Sequence, residues 1–194
     1  MAYARAPASL SVAAFFVLLA TLFFWLSAFS VPFIKSISYL HTSDGMKFGN
    51  FGWCDGPICY RHVGYAWYPE VLDKTHLTGS LILVAITAGF GSLAFLSLVH
   101  SIVDLASGFC SFTLTLISAL LSSISFLLVV ICWGVAHHRF SDNDLDPKYG
   151  SAFALVIVGW LLYLLAIPFV VIGWLRERHY RREVEAASTR RRWF

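Results

Sequence analysis

Polar and apolar positions are sharply segregated along this chain. Residues 10–33, 77–99, 109–136 and 151–175 are mainly apolar and contain no Asp, Glu, Lys or Arg. A membrane-spanning helix needs about 20 such residues, so the pattern predicts four spans. Pro168 lies inside the fourth, which membrane helices tolerate because neighbouring groups satisfy the freed carbonyl. Within the third span Ser111, Thr115, Ser118, Ser122 and Ser125 recur at helical spacing, and Thr78, Ala85, Gly89 and Ser92 do so in the second. Such stripes of small and hydroxyl side chains let helices approach closely, either within the bundle or against a partner's helix.

Between the first two spans, residues 34–76 contain β-branched and aromatic runs punctuated by turn residues. Ile34 to His41 and Met46 to Trp53 read as strands separated by Thr42, Ser43, Asp44 and Gly45. Asp55-Gly56-Pro57 forms a second turn before Ile58-Cys59-Tyr60. Two strands joined by that turn bring Cys54 and Cys59 together, and the C-x4-C spacing suits a hairpin-closing disulfide. A metal site and free thiols are the rival readings; a zinc site wants about four ligands, and only His62 is close in sequence. Cys110 and Cys132 lie at opposite ends of the third span and read as small apolar residues. The expected fold is thus an all-α transmembrane four-helix bundle with a small extracellular β-sheet, part of residues 137–150 being free to join it. Trp53, Tyr60, Tyr65, Trp67 and Tyr68 are expected at the bundle's outer face or the lipid interface.

Charge sets the expected orientation. Of the 14 Lys and Arg, seven fall in the tail: Arg176, Arg178, Arg181, Arg182, Arg190, Arg191 and Arg192. The positive-inside rule then places residues 1–9, the turn at 100–108 and the tail at 176–194 in the cytosol, and residues 34–76 and 137–150 outside. Arg5 and the small residues Ser27, Ala28 and Ser30 admit a cleaved signal peptide, but the apolar run exceeds the usual length of about 7–15 residues, so an uncleaved span is expected. The basic tail suits anionic lipid; Arg190-Arg191-Arg192 also fits an endoplasmic-reticulum sorting signal, the alternative to the plasma membrane. A net charge of +3 gives no reason to expect nucleic acid.

Little here suggests catalysis. Uncharged spans argue against ion transport and against an intramembrane carboxylate pair. Asp142, Asp144 and Asp146 mimic the start of a calcium loop, but Pro147 stands where that loop requires glycine and Phe153 where it requires glutamate. No metal, cofactor or enzymatic activity is expected. Five of the seven histidines, His41, His62, His76, His137 and His138, fall in the predicted outer loops. Imidazole ordinarily changes charge between pH 5 and 8, so these are candidate pH-responsive groups, or simply polar loop residues.

The block Phe48-Gly49-Asn50-Phe51-Gly52-Trp53-Cys54-Asp55-Gly56-Pro57-Ile58-Cys59, followed by Gly64-Tyr65, resembles the claudin-like tetraspan superfamily. It is most similar to the fungal PalI-type branch and its eisosome-associated relatives, with their phrase F-G-x-F-G-[YW]-C-x-G-x-x-C and later G-Y. The resemblance marks Phe48, Gly49, Phe51, Gly52, Trp53, Gly64 and Tyr65 as family positions. Claudins space their cysteines more widely, so barrier formation is not implied. What the resemblance implies is a non-enzymatic plasma-membrane protein, an auxiliary or scaffold subunit of a larger multi-span protein in ambient-pH signalling. The alternative it implies is a structural organiser of membrane domains and cell-wall integrity, forming homo-oligomers and binding lipid.

Overall fold

The computed structural model describes residues 8–65, 78–103, 108–142 and 145–191. Four helices dominate: α1 (Ala8–Ala28), α2 (Ile82–Val103), α3 (Gly108–Ser141) and α4 (Ser151–Arg191). A short 3-10 turn, Thr78–Leu81, leads into α2. All four helices are long and apolar enough to cross a membrane, with mean hydropathy from 2.2 to 2.8 over their spans. The chain is by that measure a multi-pass membrane protein.

The helices pack in a ring, α1 against α2 and α4, and α3 against α2 and α4. Small side chains fill the contacts: Ala13, Ala14, Val17 and Ala20 on α1, Ala88 and Ala94 on α2, Ala152 and Ala166 on α4 are buried. Many bulky apolar ones point outward, among them Phe15, Leu22, Leu96, Leu120, Leu127 and Leu165, although Phe24, Leu98, Trp133 and Tyr163 are fully buried. A water-soluble bundle would not leave so many exposed. In lipid, hydrocarbon outside is no costlier than hydrocarbon inside, and close backbone approach becomes the source of association.

A five-stranded antiparallel sheet caps the end where α1 and α3 finish and α2 and α4 begin. Its strands are β1 (Leu40–His41), β2 (Met46–Phe48), β3 (Gly52–Asp55), β4 (Ile58–Arg61) and β5 (Lys148–Tyr149), in the order β4-β3-β2-β1-β5. The β5 strand comes from the connection between α3 and α4, so both loops on this side build one sheet. Opposed residues share a face. Tyr60, Trp53, Phe48, Leu40 and Tyr149 form one row across all strands, and its centre, Phe48 and Leu40, is buried on the bundle.

Several boundaries differ from the sequence expectation: the strand expected from Ile34 to His41 is only Leu40–His41, and α3 runs past residue 136 to Ser141, into the expected outer loop. The first helix ends at Ala28, although the apolar run continues to Phe33. Beyond Ala28 the chain turns back, with Ser30 N donating to Ser27 O and Val31 N donating to Ile37 O; Pro32 has no N–H with which to continue a helical ladder. The expected strand from Met46 to Trp53 is two strands. The chain reverses at Gly49–Gly52, where the Gly49 N–H donates to the Gly52 carbonyl over 2.9 Å.

Candidate functional site

The reversal at Gly49–Gly52 lies at the centre of a clamp joining the end of α1, the sheet and the start of α2. Gly49 rests directly on the Val31 backbone, and a Cβ there would collide with the Val31 carbonyl oxygen. The next amide, Asn50 N–H, donates to Ser30 Oγ over 3.0 Å. Gly52 adopts φ +150°, and its missing Cβ leaves room for the Tyr60 carbonyl of β4. The Gly49 carbonyl accepts from the Tyr65 hydroxyl at 2.7 Å, and the Tyr65 carbonyl accepts from Thr78 Oγ1 at 2.6 Å. Gly64, at φ +73°, lies beside Gly79 of the 3-10 turn. The block from Phe48 to Cys59 and the following Gly64-Tyr65 therefore have a mechanical content: glycine where backbones touch, and tyrosine where a buried carbonyl needs a donor.

Aromatic rings hold the same region. Phe48 packs against Phe140 of α3 at 5.2 Å between centroids, and Trp53 stacks on Tyr60 at 4.7 Å. Phe51 meets Phe33 edge-on at 6.2 Å. Cys54 and Cys59 face one another across β3 and β4 and form a disulfide. The spacing argument for that bridge holds, while Cys110 and Cys132 are free.

A second tyrosine was not singled out by sequence reasoning. Tyr39 is fully buried, stacked on Trp133 of α3 at 5.2 Å. Its hydroxyl reaches Ser27 Oγ of α1 at 2.5 Å, and Ser27 donates onward to the Ala152 carbonyl of α4 at 3.3 Å. A serine hydroxyl has one hydrogen, so Tyr39 is the donor of the pair. This residue ties the loop to three helices. Burial pushes the phenols of both Tyr39 and Tyr65 well above the usual tyrosine range, because an anion there would lose its hydration.

The hydroxyl stripe of α3 faces inward. Ser111, Thr115, Ser118, Ser122 and Ser125 are all buried. Ser111 Oγ donates to the Ser97 carbonyl of α2 at 2.7 Å, while Thr87 of α2 and Ser125 share a hydrogen bond of 2.7 Å. Thr115, Ser118 and Ser122 donate to carbonyls of their own helix. On α2, Ser92 accepts from Trp25 Nε1 of α1 at 3.0 Å; Ala85 and Gly89 are half-buried, and a Cβ on Gly89 would meet open space. The close approach falls instead at Gly91, where a Cβ would collide with the Tyr163 hydroxyl of α4 and lie 2.6 Å from Thr21 Oγ1 of α1. Thr21 donates to Val17 O and accepts from Tyr163 at 2.9 Å, so three helices meet at this glycine. The Gly89-Phe90-Gly91 doublet was the only signal for it, and helical spacing alone favoured the wrong member.

The histidines expected in the outer loops do not converge, and His137 and His138 lie in the last turns of α3. His41 lies in register between Lys47 and Lys148. His62 follows β4, His137 stacks on Tyr149 at 4.8 Å, and His138 lies 3.1 Å from Asp142. His76, Trp67, Tyr68 and Asp144 lie outside the described residues, as does Arg192. Among the described residues, no group of three His, Cys, Asp or Glu side chains could hold a metal. Asp146 pairs with Lys148 at 3.6 Å. In the tail, α4 continues to Arg191 and carries Arg176, Arg178, Arg181, Arg182, Arg190 and Arg191 along one continuous helix. Arg178 lies over the Trp174 ring at 3.8 Å, an arrangement suited to a membrane–water boundary.

These features define a class: a multi-pass helical protein whose polar loops form one disulfide-pinned sheet. No protein-family model and no curated protein matches the chain.

Proposed function

We propose that this chain is a claudin-like tetraspan of the PalI type, acting without catalysis as an auxiliary or scaffold subunit of a larger multi-span membrane protein. In this reading it resides in the plasma membrane with both termini in the cytosol, and its partner belongs to an ambient-pH signalling system. The observation that carries it is the clamp. Gly49, Gly52 and Tyr65, family positions of the phrase, occupy contacts that other side chains would break or leave unsatisfied. A partner would meet the outer faces, because the hydroxyl stripe is spent on contacts within the bundle. Bulky residues such as Leu93, Leu96, Leu120 and Leu127 offer that surface.

The test is purification of the tagged protein from native membranes in mild detergent, with co-purifying proteins identified by mass spectrometry. One larger multi-span partner at fixed stoichiometry supports the accessory role. Self-association or lipid alone transfers the reading to the organiser of membrane domains. A pH role makes a separate demand. Replacing His41, His62, His76, His137 and His138 together by Gln must alter the pH response, and an unchanged response removes the histidines from the proposal.

A further inference from the structure

An open groove of 510 Å³ runs between the end of α1 and the β4 edge of the sheet, lined by Phe29, Phe33, Phe51, Arg61, His62 and Val63. Its floor is aromatic. Phe33 meets Phe29 edge-on at 5.8 Å and Phe51 at 6.2 Å. Phe29, Phe33 and Val63 remain 44%, 49% and 48% exposed, more apolar surface than a groove open to water normally leaves bare.

Two observations say what covers it. Phe15, Leu22 and Leu26 form the exposed stripe of α1; just past its end the Phe29 N–H still donates to the Trp25 carbonyl at 2.9 Å, and the turn that follows sets Phe33 against Phe29. The groove floor thus continues the lipid-facing side of the first span, and an acyl chain reaches it without crossing water. At the groove, the Arg61 guanidinium lies over the Phe33 ring, 5.3 Å from its centroid. Among the described residues it has no carboxylate partner, and the neighbouring His62 adds a second nitrogen base. A cation fixed just past the end of a lipid-facing stripe matches an anionic headgroup, where phosphate and guanidinium pair with well-matched geometry.

We propose that this groove binds an anionic glycerophospholipid from the leaflet on the sheet side. Arg61 and His62 hold its headgroup phosphate, and the first methylenes of an acyl chain lie on Phe29, Phe33 and Phe51. This site is distinct from the basic tail, which belongs to the opposite end of the bundle.

The experiment uses the full chain with its seven tail arginines replaced by Gln, so that tail-bound lipid does not mask the groove. Native mass spectrometry after incubation with equal amounts of phosphatidylglycerol and phosphatidylcholine should show retained phosphatidylglycerol. Arg61→Gln should reduce that preference about five-fold, as expected for one charge near a membrane surface. Phe33→Ser should reduce retention of both lipids, and Lys47→Gln, a cation elsewhere on the sheet, should change neither. An unchanged preference in folded Arg61→Gln overturns the proposal. So does equal competition by glycerophosphoglycerol, which has the headgroup but no chains. Independently of whether those variants fold, a benzoylphenylalanine probe at Val63 in the membranes of the expressing cells should yield a phospholipid adduct. A cross-link to a second copy or to another polypeptide overturns the lipid assignment.

Discussion

The hydroxyl of Tyr65 donates to the carbonyl of Gly49 over 2.7 Å, closing a loop that begins where Gly49 rests on Val31 and ends where Thr78 starts the second helix. Removing the hydroxyl alone leaves a buried carbonyl without its donor. Tyr65→Phe should cost about 1–3 kcal/mol, read as a lowered midpoint of thermal unfolding in detergent.

The glycines of the same turn should be far less tolerant than the residue between them. Gly49→Ala and Gly52→Ala each force a Cβ into a backbone carbonyl, which cannot move as a flexible side chain could. Both variants should fail to accumulate as folded protein. The Asn50 side chain, by contrast, is buried with neither polar atom paired, while its backbone N–H makes the bond to Ser30. Asn50→Ala should be neutral or stabilising, since it removes an unsatisfied buried amide and keeps the backbone contact. Size-exclusion profiles and melting curves of the three variants check the order.

Cys54 and Cys59 are five residues apart. Closing so short a loop restricts the unfolded chain only modestly, so Cys54→Ser with Cys59→Ser should lower stability by about 2 kcal/mol. Such a loss should loosen the β3–β4 hairpin while the four helices persist. Limited proteolysis of the loop, set against an unchanged helical circular-dichroism signal, would show it.

Gly91 and Tyr163 should behave as a coupled pair. Gly91→Ala drives a Cβ into the Tyr163 hydroxyl, whereas Gly89→Ala enters open space and should be nearly silent. Tyr163→Phe removes the colliding oxygen at the cost of one interhelical hydrogen bond, about 0.6 kcal/mol in comparable membrane helices. The double variant should therefore be more stable than the sum of the two single losses predicts, and simple additivity would refute the contact.

Tyr39 and Tyr65 also set an alkaline limit. Burial raises both phenols above the ordinary value of 10.0. A group whose folded pKa is raised contributes its full stability below the unfolded pKa and loses it as pH climbs towards the folded one. Stability should hold below about pH 10 and fall above it. Replacing both residues by Phe should flatten that fall while lowering stability at neutral pH.

The sequence by itself determined what depends on composition and local order. Uncharged apolar runs specify spans, since lipid admits no unsatisfied backbone and few charges. The Asp55-Gly56-Pro57 turn between short strands sufficed to place Cys54 opposite Cys59. What only the tertiary structure decided are meetings between distant segments, which leave no local periodicity. Part of residues 137–150 was free to join the sheet, but nothing near Lys148 and Tyr149 marks them as the strand that pairs with Leu40 and His41. Helical spacing marked the stripe containing Gly89, but the crossing of α1, α2 and α4 selects Gly91, because only there do Thr21 and Tyr163 converge. The run from Met46 to Trp53 reads as one strand, yet the approach of Val31 and Tyr60 bends it at Gly49 and Gly52. Close packing is decided by which backbones touch, and a glycine reveals its reason only when its neighbour across space is known.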